Sequence, residues 1–264
     1  MSIEQPIIAN QVKKDLKNGN TILGFNVFES LRPSVLKIIS QAGYNTILVE
    51  TEHVMHNEET FTNFLVMARD NGLCPIVTTI VPSRPFVSRV LDSGALGICL
   101  SHAETPEQLG ELVQWMKYPP VGERGLAMGA NADYQHEDAE RYCREANEAT
   151  LLILKIESGL GVQNAEIMLS NDWVDAVVFG PGDLAADLGF HGEWEHPEVI
   201  RSMERVTKIA LANGVAVEPA IYPKTSEEYK RLRDRGIQLF GRFRLSEYDL
   251  LREGAMMDIE IYRD

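Results

Sequence analysis

The chain has only three cysteines, Cys74, Cys99 and Cys143, and no pair in C-x-x-C spacing. So sparse and odd a number argues against a disulfide framework and suits a reducing compartment, so a cytoplasmic location is expected. Long apolar runs are also missing. No stretch approaches the ~20 residues that span a bilayer, and Met1 to Asn20 has no basic segment leading into an apolar one, so no signal peptide is expected. Positive charge is in deficit: 25 Lys and Arg face 39 Asp and Glu, a formal net charge of −14. That balance repels phosphate backbones and anionic lipid, so neither nucleic acid nor membrane is an expected partner. Small anionic substrates stay open, because a metal or a local cation can dominate a pocket.

No composition shift, low-complexity tract or long Pro/Gly/Ser linker divides the 264 residues, a length close to the roughly 250 of one TIM barrel. What recurs is a short apolar run followed by a helical pattern. Strands are predicted at 22–26, 46–49, 76–79, 97–100, 151–156, 176–179, 215–217 and 239–243; each is short, apolar and bounded by turn residues, as strands buried on both faces are. Helices are predicted over 33–42, 58–71, 85–93, 106–116, 197–213 and 226–235, several ending at a glycine, with a helical segment within 1–20 and a C-terminal helix at 246–257. This alternation is the grammar of a single-domain (β/α)8 TIM barrel covering 1–264. A doubly wound sheet is the rival, but Gly24-Phe25-Asn26-Val27-Phe28 is no G-x-G-x-x-G turn. The polar stretch 118–150, with an amphipathic piece around 137–147, reads as an elaborated, functional loop on the strand-4 to strand-5 side.

In such a barrel, catalytic side chains come from the C-terminal ends of strands. Those ends carry Glu50, Glu52 and His53; Thr78 and Thr79; Lys155 and Glu157; Gly180-Pro181-Gly182-Asp183; Glu218; and Arg242 and Arg244. Acidic groups from different strands converge on one mouth, which suits a hard divalent cation. Residues two apart on a strand share a face, so Lys155 and Glu157 point the same way. The Gly-Pro-Gly run offers backbone amides to a carboxylate or phosphate.

Several runs occur together and in order: Ile47-Leu48-Val49-Glu50-Thr51-Glu52-His53, Leu91-Asp92-Ser93-Gly94-Ala95, Tyr118-Pro119-Pro120-Val121-Gly122-Glu123-Arg124-Gly125, Lys155-Ile156-Glu157, Phe179-Gly180-Pro181-Gly182-Asp183-Leu184, Leu188-Gly189 and His196-Pro197. With them the chain, from about Gly24 to Leu251, resembles the HpcH/HpaI aldolases, with citrate lyase β-type proteins as distant kin. The resemblance implies a phosphoenolpyruvate/pyruvate-type barrel and a class II aldolase. Glu157 and Asp183 match the family's metal carboxylates, the ion being Mg2+ or Mn2+, with Co2+ also compatible. His53 matches the catalytic histidine, Asp92 the aspartate that orients it, and the amides of Gly182 and Asp183 those that hold the pyruvyl carboxylate. The family also implies a homo-oligomer, dimers building a larger ring through the C-terminal helix, with Met256 and Met257 as candidate contacts.

The chain departs from that pattern at three places. Thr78 in Pro75-Ile76-Val77-Thr78 replaces an arginine that binds the substrate's oxo oxygen, Lys155 replaces a glutamine, and Arg242-Phe243-Arg244-Leu245 replaces V-G-V-D. A lysine roughly 7 Å from a dication meets on the order of 5 kcal/mol of repulsion at an effective dielectric near 20, which favours a neutral amine or a bridging substrate anion. Lys155 is therefore expected to take over the missing arginine's work, with Thr78, Lys155, Gly182 and Arg242 as substrate contacts. Each residue also has a structural reading. Glu157 and Asp183 can pair with Lys155 without a metal, Glu50 can satisfy His53, Asp92 can cap the turn at Ser93-Gly94, and Arg242 and Arg244 can pair with Glu218 or Glu50.

These readings together predict a metal-dependent carbon–carbon lyase acting on a 4-hydroxy-2-oxo acid to give pyruvate and an aldehyde. The rivals are an acyl-CoA lyase or decarboxylase of citrate lyase β type, for which no adenine-nucleotide footprint stands out, and a small-molecule-binding homologue with a decayed site.

Overall fold

The computed structural model describes residues 7–79, 82–134 and 138–263. Its strands are β1 (Ile22–Val27), β2 (Thr46–Val49), β3 (Cys74–Thr79), β4 (Gly97–Leu100), β5 (Leu151–Ile156), β6 (Ala176–Phe179), β7 (Ala216–Val217) and β8 (Leu239–Arg242). The helices are α1 (Gln11–Lys17), α2 (Pro33–Gln41), α3 (Glu58–Asp70), α4 (Arg84–Asp92), α5 (Pro106–Met116), α6 (Ala139–Ala149), α7 (Gly159–Leu169), α8 (Pro181–Asp187), α9 (Pro197–Ala212), α10 (Ser226–Asp234) and α11 (Glu247–Glu260). Parallel ladders run β8-β1-β2-β3-β4-β5-β6-β7. The seam between β7 and β8 is closed differently: the Gln238 N–H donates to the Val217 carbonyl at 3.2 Å. Arg244 reinforces it, donating to Glu218 Oε1 at 3.0 Å and to the carbonyls of Ala220 (2.9 Å) and Pro219 (2.5 Å). The fold is the expected (β/α)8 barrel.

Two apolar layers follow from strand alternation. One parity (Phe25, Ile47, Val77, Ile98, Leu152, Val177, Phe240) packs against the helix ring. The other (Ile22, Leu48, Ile76, Cys99, Ile153, Val178, Leu239) fills the barrel's interior. Continuing the interior parity to the strand ends reaches Asn26, Glu50, Thr78, Lys155, Glu157 and Glu218, all polar. The barrel thus has an apolar floor and a polar mouth. Phe243 crosses to the interior where β1 has no side chain: a Cβ on Gly24 would lie 2.0 Å from its ring.

The floor is stoppered from the N-terminal side. Ile8, Val12 and Leu16 pack with Tyr118, Tyr142 and Ala146, and Lys13 pairs with Asp175 at 3.0 Å. The first six residues of the expected N-terminal segment, and residue 137 of the amphipathic piece, lie outside the described residues. The stretch 118–150 lies between β4 and β5, as expected. It follows α5, which has already run back from the mouth, so its described residues wrap the floor, away from the strand ends. Arg124, buried within it, donates to Asp92 Oδ1 at 2.7 Å, and the Asn131 side chain donates to the same oxygen at 3.1 Å.

Lys117 is fully buried on this floor, donating to the carbonyls of Asn147 (2.6 Å) and Thr150 (3.3 Å) and lying 4.4 Å from the Trp173 ring. Burial first, then the charge of Lys13, push its pKa from 10.5 down to about 7, while Asp175 and Glu148 pull upward and Arg124 downward. Between those two values the unfolded chain binds the proton and the folded chain does not, so this group's contribution to stability rises with pH. Thermal melts of wild type and Lys117→Met between pH 6 and 9 test this. The wild type should gain on the variant as pH rises; parallel curves would show that Lys117 keeps its proton.

The Gly24–Phe243 approach makes a second prediction. Gly24→Ala should cost roughly 1–3 kcal/mol through overpacking, read as a lower urea midpoint, and Phe243→Leu should restore part of the loss. A Gly24→Ala midpoint equal to wild type would show that the ring moves aside freely.

Candidate active site at the barrel mouth

Glu157 immediately follows β5, and its carboxylate is fully buried. Oε1 accepts the His102 N–H at 2.6 Å, and Oε2 forms an ion pair at 2.9 Å with the Lys155 ammonium two residues back. The approach angle leaves Oε2 without a hydrogen bond. Two backbone features make room for this carboxylate. Gly180, at the end of β6, could carry no side chain, because a Cβ there would lie 2.1 Å from Glu157 Oε2. His102, just past β4, takes φ +44° to aim its amide at Oε1, a left-handed conformation that costs a non-glycine residue about 1–2 kcal/mol.

Glu52 approaches from the other side. Its Oε2 lies 3.7 Å from Lys155 Nζ, while its Oε1 lies 3.6 Å from His102 Nε2 and 3.8 Å from His53 Nε2. The loop that carries it is wound on Glu50, whose Oε1 accepts the N–H of Glu52 (2.5 Å) and of His53 (3.3 Å) and the hydroxyl of Thr78 (3.0 Å). Thr51 ties this loop to β3, its N–H donating to Thr78 Oγ1 at 2.9 Å, and His56 Nε2 meets the Glu50 carbonyl oxygen at 2.7 Å. Burial pushes the Glu157 carboxyl above the ordinary carboxylate range, with Lys155 and His102 only partly offsetting it. For Lys155, burial works against the charge, but Glu157 and then Glu52 outweigh it and hold the ammonium above the usual lysine value.

The sequence-expected residues divide into those the mouth gathers and those it does not. Lys155 and Glu157 are side by side, and His53, half-exposed, is one carboxylate away. Gly182 and Asp183 sit in the first turn of α8, where backbone N–H groups have no intrahelical acceptor; the Asp183 side chain is exposed and stands outside the Glu52–His102–Glu157 cluster. Thr78 is fully buried beneath Glu50 and bonded to it, so its hydroxyl has no face toward a substrate. Asp92 is displaced further: it ends α4 on the floor side, held by Arg124 and Asn131, and within one chain it does not orient His53. Arg242 has the outward parity, level with Phe25, and pairs with Glu253 of α11 at 3.3 Å instead of with Glu218 or Glu50. Arg244 does pair with Glu218, as one of the two readings required.

Sequence reasoning gives His102 little weight: nothing in Ser101-His102-Ala103 signals a left-handed histidine, and its place two residues past the end of β4 is the clue the chain offers. Glu52 stood among the strand-end acids without being singled out.

A divalent ion fits this donor set. Glu52, His102 and Glu157 each offer one ligand atom, all within 4.8 Å of one another. Glu52 Oε2 and Glu157 Oε2 are buried carboxylate oxygens with no hydrogen bond, and unsatisfied buried anions are costly unless a cation meets them.

The sequence pattern of the HpcH/HpaI aldolase/citrate lyase family matches residues 27–239. A 2-keto-3-deoxy-L-rhamnonate aldolase of Klebsiella pneumoniae is 29% identical over 223 residues, covering 83% of each chain. Among solved structures, an HpcH/HpaI aldolase from Desulfitobacterium hafniense superposes with a TM-score of 0.88 at 27% identity, covering 96% of each chain. A family protein from Burkholderia cenocepacia gives 0.82 at 27% identity, over 97% of this chain and 100% of that one. With most of its length matched and its strand-end acids gathered at one mouth, the chain belongs to the HpcH/HpaI aldolase/citrate lyase family and is an enzyme of the lyase class.

Proposed function

We propose that this protein is a metal-dependent aldolase that cleaves a 4-hydroxy-2-oxo acid between C3 and C4, releasing pyruvate and an aldehyde, or runs the reverse condensation. The observation that carries the reading is the pair of buried, hydrogen-bond-free carboxylate oxygens on Glu52 and Glu157 at the mouth of a family barrel. The 2-keto-3-deoxy sugar acid named for the Klebsiella relative has the same 2-oxo, 4-hydroxy pattern.

Glu157 is the central ligand, with Glu52 and His102 beside it and Asp183 at the rim, for Mg2+ or Mn2+, or Co2+. When bound, such an ion supplies Lewis acidity toward the 2-oxo group. The chain's own residues do the rest. His53 accepts the proton of the 4-hydroxyl, and Glu52, 3.8 Å away, stabilises the imidazolium that forms. As the C3–C4 bond breaks, its electron pair passes into the enolate of pyruvate. The Lys155 ammonium meets that developing charge on the side where Thr78 offers none. The first-turn amides at Gly182 and Asp183 hold the substrate carboxylate, and a proton returned to C3 completes pyruvate. Among the described residues no helix is long and apolar enough to cross a membrane.

The test is pyruvate release from a panel of 4-hydroxy-2-oxo acids. EDTA should abolish it, Mn2+ or Mg2+ should restore it, and His53→Ala should lower kcat by about 10²–10⁴-fold, the range for loss of a general base. Release that ignores EDTA would sink the proposal.

The assembly is proposed to be a homo-oligomer built through α11. This helix buries none of its own residues and exposes Leu251 and Met257 by 74% and 73%. Leu251→Glu with Met257→Glu should move the sedimentation coefficient toward that of a monomer; an unchanged coefficient would rule α11 out as the contact.

A further inference from the structure

We infer that Lys155 is a resident counter-ion: its ammonium occupies the carboxylate box in the metal-free protein and must leave it when a divalent ion binds, so that this lysine sets the site's metal affinity. The inference rests on reading the mouth as a cation site. Three observations carry it. First, the ammonium lies 2.9 Å from Glu157 Oε2 and 3.7 Å from Glu52 Oε2, two buried carboxylate oxygens for which no other hydrogen-bond donor is in place. Lys155 therefore sits on the ligand atoms a metal would take.

Second, the two cations compete for the same atoms. Glu52 Oε2 and Glu157 Oε2 cannot hold the ammonium and a divalent ion in one place, and at close range the two positive charges repel strongly. Third, the box is rigid but the lysine head is free to move. Glu157 is fixed by the His102 amide and by the absence of a side chain at Gly180, and Glu52 by its loop on Glu50. Lys155 has four methylenes beyond a strand backbone, and its side chain is 17% exposed at the mouth. Metal entry swings the ammonium toward the open mouth, where the carboxylate and oxo oxygens of a 2-oxo acid need a cation. Loading the metal and readying the anion site thus become one event.

Mn2+ titration by calorimetry or electron paramagnetic resonance, with no substrate present, tests this. Lys155→Gln should bind Mn2+ about 10–100-fold more tightly than wild type, the scale expected when one competing charge is removed. Its metal-free form should melt lower than wild type and gain more on adding Mn2+. Lys155→Arg, which keeps the charge, should bind no more tightly than wild type, and Glu157→Gln should lose binding. An affinity for Lys155→Gln equal to or weaker than wild type overturns the inference, as does tighter binding by Lys155→Arg if the glutamine variant fails to fold. These affinities are read without turnover. Failure of the aldolase reading would show as absent pyruvate release with the Mn2+ ranking intact, and failure of this inference as the reverse.

Discussion

The burial of Glu157 is the constraint around which the mouth is organised. Removing a carboxylate from water costs several kcal/mol unless partners replace the solvent. Here the replacement is uneven: one oxygen receives a short amide hydrogen bond, and the other receives only a nearby positive charge. The neighbouring features follow. His102 takes a left-handed backbone to deliver the amide, Gly180 gives up a side chain to admit the oxygen, and strand parity puts Lys155 on the same face. One oxygen of this carboxylate thus rests on a mobile cationic side chain instead of on fixed backbone donors.

The two ends of the barrel spend their polar groups differently. On the floor, Arg124, Asn131 and Asp92 close on one another, and Lys13 meets Asp175. At the mouth, Glu52, His102 and Glu157 bring their ligand atoms within 4.8 Å of one another, with His53 beside Glu52, but make few mutual hydrogen bonds. Buried polar groups are ordinarily paired, so the contrast between the two ends distinguishes the mouth. The same contrast assigns Glu218: saturated by the Phe179 N–H (2.5 Å), the Tyr222 hydroxyl (2.5 Å) and Arg244, it serves as the clasp of the β7–β8 seam despite its place among the strand-end acids.

What the sequence made legible is what local chemistry determines. The four strands 46–49, 97–100, 151–156 and 176–179 were read to their ends, because runs buried on both faces are continuous and their flanking turns are marked. Thr105 and Gln108, spaced as a capping box, form one at the start of α5. Position along a helix was harder. The 118–150 stretch is legible as an elaborated loop between β4 and β5, but its length alone does not say which end of the barrel it covers; the direction of α5 sends it to the floor. Asp92 is carried away from the mouth by the nine residues of α4, and Arg242 fails as a mouth residue on parity, since Leu239 and Gly241 take the inward face. α7 and α8 were not read as helices, because Gly159, Gly161, Pro181 and Gly182 are poor helix formers that tertiary packing overrides. His102 depended on a backbone angle that no neighbouring residue announces.

The two departures at Thr78 and Lys155 are physically one. By resemblance, a cation belongs on β3 and a neutral amide on β5; this chain has a neutral hydroxyl on β3 and a cation on β5. The hydroxyl then serves Glu50, donating to the same buried oxygen that anchors the Glu52–His53 loop. An arginine at position 78 would compete for Glu50 and pull that loop toward β3. Moving the charge to position 155 leaves the loop to β2 and β3 and gives the carboxylates of Glu52 and Glu157 a cation of their own. Relative to the resembled pattern, the positive charge shifts from β3 to β5, where it lies against the buried carboxylates of Glu52 and Glu157.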